Sequence, residues 1–96
     1  MAQATAQSTV KLIDYYAPWC GPCRAMEPIM EELEKELAGK LIIERVNVDE
    51  EQDRSNAAGV MSIPTLHIEK DGKVLNTLIG FQSKDDLEKV LKPVLN

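Results

Sequence analysis

The 96-residue chain carries only two cysteines, one histidine and apolar runs of a few residues, and each shortage removes a class of protein. A bilayer-spanning helix needs about 20 apolar residues, and no such stretch is present. Positive charge is in deficit too. Eleven basic against sixteen acidic residues leave a net charge of −5. That balance gives no electrostatic footprint for phosphate backbones or anionic membranes, which argues against nucleic acid and membrane partners. Two cysteines are too few for a disulfide-stapled miniprotein. Cys20 and Cys23 also sit so close that a structural disulfide would close a tiny loop and restrict the unfolded chain little. Four-ligand zinc needs a second pair of ligands, and His67 is the only histidine. The cysteine pair is therefore either chemistry or nothing.

What is present is globular. A hydrophobic share of 44% with 28% charged residues argues against wholesale disorder, and a chain this short makes one domain. Residues 1–9 are rich in Ala, Gln, Ser and Thr and lack the basic start and apolar stretch of a signal peptide. They are read as a flexible N-terminal segment before a domain over residues 10–96. Taken as written, this places the protein in the cytoplasm; a chain from which a leader had been removed reads the same way.

Val10 to Tyr16 is an apolar and aromatic run, read as a strand. From Cys23 onward, Met26, Ile29, Met30, Leu33 and Leu37 form one helical stripe, with Pro28 expected to kink it and Gly39 to stop it. Leu41 to Val48 is rich in β-branched residues and reads as a second strand. Asp49 is expected to cap a short helix ending at Gly59. Thr65 to Lys70 and Lys73 to Ile79 flank Asp71-Gly72, a hairpin signal. Ser83 and Asp86 form a capping box for a last helix with Leu87, Val90, Leu91 and Val94 on its apolar face. The order β-α-β-α-β-β-α predicts an α/β fold, a mixed sheet with helices on its faces.

Trp19-Cys20-Gly21-Pro22-Cys23 falls where the first strand ends and the first helix begins. A helix N-terminus carries free N–H groups and a partial positive charge, both of which stabilise a thiolate. Cys20 is therefore the attacking thiol. Cys23 follows one turn later, close enough to bond Cys20 and resolve a mixed disulfide from within the chain. Pro22 suits the first turn, and Gly21 lets another chain come close.

These residues resemble the thioredoxin family. Asp14-Tyr15-Tyr16-Ala17-Pro18-Trp19-Cys20-Gly21-Pro22-Cys23 is similar to its active-site segment, and Val60-Met61-Ser62-Ile63-Pro64-Thr65 to its second signature. The resemblance implies a thioredoxin-like three-layer α/β/α fold with a four-stranded sheet in the order 2-1-3-4. It implies a protein-disulfide reductase that binds no cofactor beyond its own Cys20–Cys23 disulfide and no metal. It further implies a monomeric dithiol carrier that serves disulfide-containing proteins and is recharged by a thioredoxin-reductase-type donor. Asp14 matches the family's buried aspartate, the proton acceptor for Cys23. Pro64 matches its cis proline, which sets the Ile63 backbone beside Cys20 and blocks metal capture. Trp19, Gly21, Pro22, Ile63, Pro64 and Gly80 would frame the substrate-docking surface.

The sequence also departs from the family. Only nine residues precede Val10, too few for the usual first β-α unit. Arg45 replaces a lysine near the buried aspartate and is expected to hold Asp14 ionised more firmly. Met61-Ser62 is less polar than the family's usual pair. Lys11, Glu44, His67 and Glu69 interrupt otherwise apolar strands. They are expected to gather on the sheet face that the lost helix would cover and to make it a hydrated surface. Two alternatives stand beside the reductase: an extracytoplasmic oxidase or isomerase, and a binding module that uses the fold as a scaffold. No histidine precedes Cys23, which favours a reducing member.

Overall fold

The computed structural model describes residues 9–95. The elements are β1 (Val10–Tyr16), α1 (Gly21–Glu36), β2 (Ile42–Asn47), α2 (Gln52–Ala57), β3 (Thr65–Lys70), β4 (Lys73–Ile79) and α3 (Lys84–Leu91), with a 3-10 turn at Lys92–Val94. The sheet order is β2-β1-β3-β4. β1 and β2 are parallel, and β1–β3 and β3–β4 are antiparallel. The expected fold class, element order and strand order all hold. Expectations for the segment before Thr9, including its flexibility and the lost β-α unit, fall outside the described residues.

Burial follows the apolar stripes. Leu12 of β1 and Leu66 and Ile68 of β3 meet Met26, Met30 and Leu33 of α1 and Leu87 and Leu91 of α3. The opposite sheet face packs Ile13, Tyr15 and Val46 under Val48, Ala58 and Val60, the chain around α2. Pro28 lies inside α1 without ending it, and the helix closes at Leu37, whose N–H bonds Leu33 O at 2.9 Å. The turn into β4 takes Asp71 to φ 53° and Gly72 to φ 84°, the positive pair that a two-residue hairpin requires. The capping box at Ser83 and Asp86 is complete in both directions.

Two expectations need correction. The short helix starts at Gln52, later than a cap at Asp49 would give, and the side chain of its own N-cap Glu51 caps no backbone N–H. Asn47 takes the local N–H groups instead: its Oδ1 accepts from Asp49 and Glu50. The polar residues do share one face, since Lys11 pairs with Glu69 and Ile13 with both Glu44 and His67. That face is not a hydrated surface, however. His67 is only 6% exposed and meets the Tyr15 ring edge-on at 5.2 Å. Arg54 of α2 reaches across to Glu44 at 2.6 Å, and Lys11 lies 3.9 Å from Glu44. Lys11, Glu44 and Arg54 form linked ion pairs on this side, and α2 with its flanks closes over the apolar centre.

Candidate active site

β1 delivers the chain to the site and α1 takes it away. After Tyr16 a tight turn closes through Cys20 N–H to Ala17 O at 3.1 Å. Cys20 then stands as N-cap of α1 in an extended conformation (φ −83°, ψ 116°), and its Sγ accepts the Cys23 N–H at 3.2 Å. A sulfur in that place receives what a capping oxygen usually receives, so negative charge on it is met by the helix start. The first turn carries no acidic residue, and Pro22 has no N–H to leave unpaired. Cys20 and Cys23 form a disulfide with their Cα atoms 5.2 Å apart. Both are nearly buried, Cys23 the more so.

Around the pair, Ile63 and Tyr16 pack against the cluster of Ala17, Cys20 and Cys23. The Ile63–Pro64 bond is cis and Pro64 is buried. Gly80 joins this loop through its N–H to Pro64 O at 2.8 Å, at a φ of 89° that favours glycine. A Cβ on Gly21 would meet nothing within 4 Å, so the space above it is open to another molecule. Trp19 is 68% and Met61 96% exposed, and between them runs an open groove of about 310 Å³ that reaches Ile63. Apolar exposure of this kind is what interaction surfaces in general present.

Asp49 was not singled out for this site by sequence. Its Oδ2 accepts the Trp19 indole N–H at 2.8 Å. The two residues are thirty positions apart, and only the parallel pairing of β1 and β2 brings them together.

Asp14 lies two residues before Tyr16 on β1, under α1 and 1% exposed. Arg45, its register partner on β2, places Nε 3.5 Å from Asp14 Oδ2. Asp14 Oδ1 has no hydrogen-bond partner among the described residues. Burial pushes the carboxyl up to about 6, and Arg45 pulls it down by less. Arg45 thus acts in the expected direction, toward the ionised form, and burial outweighs it. Among the described residues no group of three or more His, Cys, Asp or Glu could hold a metal ion, and no helix is long and apolar enough to cross a membrane.

Comparison with known proteins agrees. The family model for thioredoxin matches residues 2–93. Thioredoxin of Bacillus subtilis is 46% identical over 88 residues, which span 92% of this chain and 85% of that protein. Thioredoxin of Alicyclobacillus acidocaldarius is 45% identical over 84 residues, 88% of this chain and 80% of its own. A mutant thioredoxin from Halobacterium salinarum NRC-1 superposes with a TM-score of 0.85 at 34% identity, covering 91% of this chain and 75% of that one. At these levels of identity the chain belongs to the thioredoxin family, and its Cys20–Cys23 pair makes it a thiol–disulfide oxidoreductase that reduces protein disulfides.

Proposed function

We propose that the protein is a cytoplasmic, monomeric dithiol carrier that takes electrons from a thioredoxin-reductase-type donor and passes them to disulfide-containing proteins. No cofactor is required, because the electrons reside in Cys20 and Cys23. The Cys20 thiolate attacks one sulfur of a substrate disulfide, and the other substrate sulfur leaves as a thiolate and takes up a proton. Cys23 then gives its proton to Asp14 through an intervening water. Its thiolate attacks Cys20 Sγ, the mixed disulfide breaks, and the second substrate sulfur leaves as a thiolate that takes up the proton Asp14 gives back through water. The substrate has gained two electrons and two protons, and the protein holds a disulfide that the donor reduces again. Trp19, Gly21, Pro22, Ile63, Pro64 and Gly80 frame the surface on which the substrate strand lies, with Arg45 supporting Asp14.

The observation that carries this reading is the place of Cys20 Sγ at the N-cap of α1, accepting the Cys23 N–H. Only there does the helix start stabilise the attacking thiolate while the partner thiol stays inside the first turn. The test is reduction of insulin disulfides with NADPH and, in turn, different disulfide reductases. Turnover with a thioredoxin reductase supports the carrier. A protein that is turned over by none of them, yet oxidises reduced proteins, would be an oxidase instead.

A further inference from the structure

Arg45 is shared between two carboxylates. Its Nε lies 3.5 Å from Asp14 Oδ2, its Nη2 donates to Glu27 Oε2 at 3.3 Å, and its guanidinium rests 4.3 Å above the Tyr16 ring centre. A guanidinium given to one carboxylate closes on it with two parallel N–H···O bonds. Here Asp14 receives a single long contact, and its Oδ1 is unpartnered among the described residues. A second nitrogen of the fork is held by Glu27.

Glu27 owes its place to α1. It follows Cys23 by four residues, so the two side chains lie one turn apart on one helix face. Asp14 and Arg45 sit side by side on β1 and β2 beneath. The charged groups facing Asp14 are thus Arg45 from β2 and Glu27 from α1. Tyr16 follows on β1, its ring under Arg45, and Cys23 of α1 becomes a thiol once the disulfide is reduced. The β3 neighbour of Asp14 is Leu66, and α3 contributes Leu87 and Leu91 to the core.

We propose that Glu27 is a positioning residue for the second half of the exchange: it draws Arg45 partly off Asp14 and so keeps Asp14 able to take the proton of Cys23. The inference rests on the reading of Asp14 as proton acceptor. Glu27 acts by two routes of the same sign, since its own charge raises the Asp14 carboxyl and its hold on Arg45 limits the opposing pull. Arg45 and Glu27 together let a buried carboxylate keep a counter-ion without losing its basicity.

The test follows the Asp14 carboxyl carbon by NMR and the rate of insulin reduction, both across about pH 5 to 9. In Glu27→Gln the Asp14 midpoint and the acid limb of the rate profile both move to lower pH. The rate at neutral pH falls roughly two- to fivefold, as expected for a weakened base. In an Arg45→Gln background the same change at Glu27 moves both by less. An Asp14 midpoint that stays in place or rises in Glu27→Gln overturns the proposal. Asp14→Asn separates the two levels. If it slows exchange while Glu27→Gln is silent, the acceptor stands and the positioning role falls. If Asp14→Asn leaves the profile intact, the acceptor reading fails and takes the positioning role with it.

Discussion

Cys20 and Cys23 are chemically identical side chains made unequal by one helical turn. Cys20 precedes the helix and faces its N–H groups; Cys23 is inside it and 1% exposed. Cys20→Ser is therefore expected to abolish turnover, and Cys23→Ser to leave mixed disulfides with substrates that a non-reducing gel displays. Limiting alkylation of the reduced protein, mapped by mass spectrometry, should modify Cys20 first; the reverse order would exchange the two roles. The Trp19–Asp49 bond extends the same reasoning to docking. An exposed indole held at one edge is pre-set for a partner, which lowers the ordering cost of association. Asp49→Ala should cost about 1 kcal/mol of stability or less. It should lower kcat/KM for protein disulfides by roughly two- to tenfold, mainly through KM. Trp19 is the only tryptophan, so intrinsic fluorescence reports the freed ring directly. Unchanged kinetics with an altered spectrum would reduce the bond to packing.

At the scale of elements, what the sequence made legible was what local chemistry decides. The hairpin followed from Asp71-Gly72, because few other pairs accept two positive φ angles, and α3 followed from Ser83 and Asp86, which bond each other's backbone. Ser83→Ala should accordingly cost about 1 kcal/mol in chemical denaturation with no change in exchange rate. An unchanged midpoint would mean that packing of Leu87 and Leu91 alone holds the helix. The cysteine turn was legible for the same reason: a strand, a cap position and a helix stripe adjoin in sequence. The start of α2 was not. Residues 47–53 offer several side chains able to cap, and the choice depends on Trp19, which occupies Asp49 from across the fold. Nor was the burial of His67 legible. Alternation placed it on the correct face, but it packs against Tyr15 on another strand, a contact that its own strand's pattern does not reveal. The sharing of Arg45 with Glu27 depends likewise on how α1 lies over β2.

For the molecule as a whole, the buried carboxyl at the site acts on the stability of every element, because the fold must keep its charge out of water. Asp14 has its ordinary value of 3.8 when unfolded and about 6 when folded, so the folded state holds the proton more tightly. Below the unfolded value both states are protonated and Asp14 costs nothing. As pH rises from about 4 to about 6 the unfolded chain ionises first, and stability falls by about 3 kcal/mol in order of magnitude before levelling off. Glu44 works in the opposite sense. The Arg54 hydrogen bond lowers its carboxyl, so its contribution is present above the ordinary glutamate value and is lost as pH falls through the folded one. The acid side is thus limited by surface pairs such as Glu44–Arg54, and the neutral side by Asp14. Asp14→Asn removes only the second effect. Denaturation across this range should show the variant more stable than the parent above pH 6, with the difference vanishing toward pH 4. It should also exchange disulfides more slowly where it is more stable, since the charge that strains the fold is the charge that accepts the proton. A variant whose advantage is the same at every pH would mean that shape or hydrogen bonding at this position, and not ionisation, carries the cost.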